Sequence, residues 1–143
     1  MGTTTFTGPV RSGPIFDTSG STLGNNVANV GKVVLAQSFP LDEDGLTTAT
    51  DIVLPEGATI VSVFVTLTVA YGAALDFTVT NSSGGFASLV SAQTPVVGVT
   101  QYVPSTLAEA GLWTAAPTDL RVNAVSASAG AGVGIVTVTY IQN

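Results

Sequence analysis

Beyond residue 30 the chain alternates in twos. Thr59–Tyr71 is the clearest case, with Val61, Val63, Val65, Leu67 and Val69 on one side. Ser62, Thr66 and Thr68 fall on the other, joined by Phe64. A two-residue period predicts a strand with one buried face. Leu75, Phe77 and Val79 alternate in the same way against Asp76, Thr78 and Thr80, and Asn81-Ser82-Ser83-Gly84-Gly85 predicts the turn that ends this strand. Val30–Phe39, Thr50–Leu54, Phe86–Ser91, Val96–Val103, Asp119–Ser126 and Val133–Ile141 read as further strands, separated by Pro or Gly turns. Leu41-Asp42-Glu43-Asp44-Gly45 reads as a turn, and the Gly-rich stretch Ala127–Gly134 as a loop. The one helical segment is Ser105–Leu112, where Thr106 and Glu109 have the spacing of a capping box. Many short β-branched strands with turn punctuation predict an all-β sandwich or barrel.

The first 29 residues differ in kind. They are rich in Gly, Ser, Thr, Asn and Pro, with Gly8-Pro9 and Gly13-Pro14 as breakers, and carry Phe6, Val10, Ile15, Phe16 and Leu23 at irregular spacing. A mobile tail has little use for such apolar side chains. The pattern predicts an extended arm, residues 1–29, that orders against a partner, followed by one β domain over residues 30–143.

Composition narrows the chemistry. The chain has 143 residues, no Cys and no His, so thiolate nucleophiles, Ser-His triads, N/S zinc sites and haem ligation by His or Cys are excluded. Lys+Arg number 3 against 9 Asp+Glu, for a net charge of −6. Arg11, Lys32 and Arg121 are scattered, which excludes the basic stripe that nucleic-acid binding requires. The start MGTTTFTGPVRSGP lacks the n- and h-regions of a secretory signal, and Phe6 stands where a myristoylation motif needs Ser or Thr. The longest strongly apolar stretch, Ile60–Tyr71, is short of the roughly 20 residues of a spanning helix. The sequence therefore predicts a soluble protein with no membrane or nucleic-acid partner.

The remaining candidate sites are weak. Asp42-Glu43-Asp44-Gly45 has the acidic density of a calcium loop but lacks the full ligand pattern, so a solvated turn between strands is the expectation. Gly130-Ala131-Gly132-Val133-Gly134 leads into a strand, whereas a phosphate-cradling loop opens a helix. Glycosidase chemistry drawn from Asp51, Glu56, Asp76 and Asp119 needs two carboxyls about 5–10 Å apart in a cleft. A sugar-stacking platform would draw on Trp113, Tyr102, Tyr71 and Tyr140, which are more often core or interface anchors. Asn81-Ser82-Ser83 matches a glycosylation sequon but has no secretion signal to give it meaning. No enzyme, cofactor or metal is expected.

Charged residues make up only 8% of the chain, against about 25% in most soluble domains. A Thr/Ser/Val-rich β surface without charges lacks the usual protection against edge-to-edge association. The economical explanation is a surface occupied by protein neighbours, the first of them further copies of the chain.

Three segments carry a family resemblance. Thr3-Thr4-Thr5-Phe6-Thr7-Gly8-Pro9-Val10-Arg11-Ser12 resembles the start of small virion structural proteins of tailed bacteriophages. Leu54-Pro55-Glu56-Gly57-Ala58-Thr59-Ile60 resembles their LP-x-G-A-x-I turn and strand, and Gly134–Gln142 resembles their closing strand. Within that group the chain is most similar to capsid decoration, or cement, proteins. The resemblance implies an antiparallel β-sandwich of jelly-roll type with an extended N-terminal arm, and a homotrimer. It also implies a place on the outer surface of an icosahedral capsid at capsomer junctions, after synthesis in the host cytoplasm. The partner would be the major capsid protein, contacted by Phe6, Pro9, Val10, Arg11, Ile15 and Phe16 of the arm. A head-fibre or tail component with a carbohydrate-binding or host-adhesion role is the alternative.

Overall fold

The computed structural model describes residues 33–142. The predicted arm, with Phe6, Pro9, Val10, Arg11, Ile15 and Phe16, lies outside the described residues. The elements in order are β1 (Val34–Asp44), β2 (Thr47–Leu54), β3 (Thr59–Val69), β4 (Leu75–Thr80), β5 (Phe86–Gln93), β6 (Gly98–Tyr102), α1 (Leu107–Thr114), β7 (Leu120–Ser126) and β8 (Ala129–Ile141). They form two four-stranded sheets with orders β1-β8-β3-β6 and β2-β7-β4-β5. All pairings are antiparallel. First pairs with last, second with seventh, third with sixth and fourth with fifth. This nesting is what a long hairpin gives when it rolls into two facing sheets, the jelly-roll arrangement.

The core is the space between the sheets. Val63, Val65, Val136 and Val138 enter it from one sheet, and Ile52, Phe77, Leu89 and Val122 from the other, all fully buried. Phe77 meets Tyr102 edge to face, with ring centroids 5.8 Å apart at 73°, a favoured aromatic geometry. Along the open side between β1 and β2, Gln37 accepts from the Val53 amide (3.0 Å) and donates to both the Val53 carbonyl (2.8 Å) and the Tyr140 hydroxyl (2.7 Å). One amide side chain thus joins the two sheets where no ladder does. β1 also carries Pro40, which an edge strand tolerates because one row of its backbone groups is unpaired.

Three expectations are corrected. Leu41–Asp44 belongs to β1 rather than to a turn, with only Gly45 and Leu46 left to connect it to β2. Glu43 explains this: its buried carboxylate accepts from the amides of Gly72 (2.8 Å), Ala73 (2.8 Å) and Gly132 (3.0 Å). A charge so satisfied can sit on the inner side of a strand. Ala129–Gly134 is likewise strand, not loop. Its glycines make room: a Cβ on Gly130 would lie 2.1 Å from Glu43 Oε2, and one on Gly132 would lie 2.4 Å from Tyr71 Cδ2. Finally, Val61 and Val69 do not share the buried face of β3. Register shifts between Ile60 and Ser62 and between Leu67 and Val69 turn them outward, while Ile60 faces the core and Ser62 lies opposite Thr139 on the outer face.

Candidate interaction face

The outer face of the β1-β8-β3-β6 sheet is built in rows of directly paired residues. Pro40, Ile135, Thr66 and Val99 make one row, and Ser38, Thr137, Phe64 and Gln101 the next. The only charged residues among these pairs stand at one end of β1: Asp42, opposite Val133, and Asp44, opposite Ala129. The hydroxyls are largely satisfied by one another: Ser38 bonds Thr137 at 2.9 Å, and Ser62 bonds Thr139. What remains for a neighbour is methyl and methylene surface, including Val61, Val69, Val133 and Ile135. The other exposed ionic groups among the described residues lie elsewhere. Asp51 on β2 stands 4.0 Å from Arg121 on β7, a solvent-exposed pair worth little. Asp119 accepts from the Glu56 amide at 2.7 Å.

Helix α1 packs against β5 and β3. Its N-cap is Thr106, and both halves of the capping box are formed with Glu109, as the spacing predicts. The sequence does not reveal that Glu109 is fully buried. Its carboxylate accepts from the Ser105 hydroxyl (2.8 Å), the Thr106 amide (3.0 Å), the Ser88 hydroxyl (3.2 Å), the Ser91 hydroxyl and the Ser105 amide. Burial alone would raise its pKa, but the bonds from Ser91, Ser105 and Thr106 hold it down at about 2. A register shift in β5 makes this possible. Val90 pairs with Phe77 and Ser88 with Thr78, so Leu89 is the extra residue. Leu89 and Val90 then both enter the core, while Ser88 and Ser91 approach each other to 3.4 Å beside Glu109. Asp76 has its carboxyl pKa raised by burial and by the charge of Glu109.

The enzymatic and sugar-binding constellations do not assemble. Asp42 and Asp44 point outward and Glu43 inward on one strand, so the acidic triplet does not converge. Of two small clefts, one of about 140 Å³ holds none of Asp51, Glu56, Asp76 and Asp119, and the other, about 220 Å³, holds only Asp119. Both are smaller than the roughly 300–1,000 Å³ of small-molecule sites. Tyr71, Tyr102 and Tyr140 are buried, so they cannot stack on a sugar. Burial drives the hydroxyls of Tyr71 and Tyr102 up to about 12, with Asp42, Glu43 and Asp44 adding to the effect at Tyr71. Trp113 is half-buried, and its indole N–H donates to the Leu89 carbonyl at 3.0 Å.

Fold and surface together define a class: an eight-stranded antiparallel β-sandwich with a broad face whose charges are confined to one end of β1. No family model matches the sequence, and no curated protein sequence matches it. Two solved structures share its fold. A chain in the capsid of Ralstonia phage GP4 has a TM-score of 0.54 and 19% identity, covering 82% of this chain and 89% of that one. A chain in the acidic stable capsid of Helicobacter pylori bacteriophage KHP30 has a TM-score of 0.55 and 14% identity, covering 79% of this chain and 90% of that one.

Proposed function

We propose that this chain is a non-enzymatic structural protein of a phage virion that decorates and stabilises an icosahedral capsid. The observation that carries the proposal is the fold shared, over most of both chains, with components of two phage capsids. The wide, charge-poor face supports it, because a monomer rarely exposes contiguous apolar surface that no contact uses. In this reading the protein sits as a homotrimer on the outer surface, at capsomer junctions, and its partner is the major capsid protein. Each contact is weak, but linked subunits raise the effective concentration of the others. Binding that occurs only on the assembled shell stabilises the shell by mass action. Residues 1–29 serve as the reaching arm, with Phe6, Pro9, Val10, Ile15 and Phe16 as apolar anchors and Arg11 pairing with a shell carboxylate.

Co-sedimentation with capsids assembled from the major capsid protein of the same virion tests this. The full chain is expected to pellet with the shells and saturate them. A variant lacking residues 1–16 is expected to keep its far-UV circular dichroism and to lose at least 10-fold in affinity. Undiminished binding of the truncated chain sinks the arm's role, and failure of the full chain to bind sinks the decoration reading.

A further inference from the structure

We propose that the flank formed by β6 and the segments on either side of it is the surface through which copies of this chain meet. The inference rests on the oligomeric virion reading above and names the contact that builds the oligomer. Val96, Val97, Val99, Val103 and Leu107 are exposed by 68, 60, 70, 67 and 94%. On the sheet's outer face Val133 and Ile135 reach only 42 and 49%. The flank is thus the most exposed run of large aliphatic side chains among the described residues.

β6 is also the last strand of its sheet, paired with β3 on one side only. Edge strands are normally protected by charge, by proline or by a covering element. Here the chain carries no charged residue between Asp76 and Glu109, and Glu109 is buried. Pro95 and Pro104 bracket the five-residue strand. They limit strand-to-strand addition, which favours a closed side-chain contact over an open fibre.

Charge selects the partner. The protein is acidic, with a net charge of −6. Two copies approaching through faces that carry Asp42, Asp44, Asp51, Glu56 or Asp119 bring like charges together. Through this flank they do not. A basic partner would be drawn to the acidic faces instead. A membrane-surface element would carry Lys or Arg beside its apolar face, and this flank has neither. A second copy presents the matching surface, uncharged and aliphatic.

The test is the solution mass of the full chain by light scattering. Wild type is expected at a fixed multiple of 14.3 kDa. Val97→Asp and Val99→Asp are expected at 14.3 kDa with unchanged circular dichroism. Thr118→Asp, which adds the same charge at an exposed position outside the flank, is expected to keep the wild-type mass. A monomeric wild type overturns the inference, as do Val97 and Val99 variants that stay fully oligomeric. If those variants remain oligomeric but no longer pellet with capsids, the flank contacts the shell, which also overturns it. Capsid pelleting of the wild type is read separately, so failure of the functional reading shows as an intact oligomer that does not bind shells.

Discussion

Glu109→Ala is expected to lower the stability of the folded domain by about 3 kcal/mol at pH 7. The loss arises because the amide donors of Ser105 and Thr106 lose their acceptor at the buried end of the Glu109 side chain. The Ser88 and Ser91 hydroxyls lose theirs too, and with them the link from α1 to β5. The same carboxylate makes stability depend on pH. Its folded pKa is about 2 against 4.5 for an ordinary Glu. A depressed pKa means that the contribution is fully present above about pH 4.5 and is lost as pH falls towards 2. Urea denaturation at pH 7 and pH 3 checks both parts. Glu109→Gln keeps the shape but turns amide hydrogens towards donors, so it should be destabilised at pH 7 and lose this pH dependence. An unchanged midpoint for Glu109→Ala would contradict the buried cap.

Gly134→Ala is expected to cost about 3 kcal/mol, at the upper end of what overpacking does. Gly134 pairs with both Leu41 and Leu67, at the centre of its sheet. A Cβ there would lie 2.4 Å from the Thr66 carbonyl oxygen, 2.4 Å from Leu67 Cδ2 and 3.1 Å from Leu67 Cα. Two of those atoms are backbone, so relief requires β8 and β3 to separate. Gly111→Ala is the control. It lies in α1 with nothing within 4 Å of its Cβ, and the gain in helix propensity should stabilise by about 1 kcal/mol. Thermal unfolding of the two variants should therefore move in opposite directions.

All eight strands and the helix are legible in the sequence, because alternation with a period of two and the Thr106–Glu109 spacing are local signals. The errors have a common physical origin in contacts between distant residues. Three acids followed by glycine look like a solvated turn until Glu43 meets the amides of Gly72, Ala73 and Gly132. Gly130, Gly132 and Gly134 look like a loop until Glu43, Tyr71 and Leu67 occupy the space a Cβ would take. Val61 and Val69 keep the period but not the face, because bulges need a partner strand to define them. The burial of Glu109 is hidden for the same reason, since it depends on the shifted register of β5. The interaction face was legible only as a shortage of charge. Its division into a charge-poor sheet, an aliphatic flank and a separate ionic surface required the strand order.

A cryo-EM reconstruction of capsids saturated with the protein tests the central claim most directly. The account predicts added density on the outer surface, at capsomer junctions, into which the two-sheet body fits with its ionic β2–β7 surface away from its own symmetry axis. Saturated shells with no added density, or with density only on the inner surface, would contradict it.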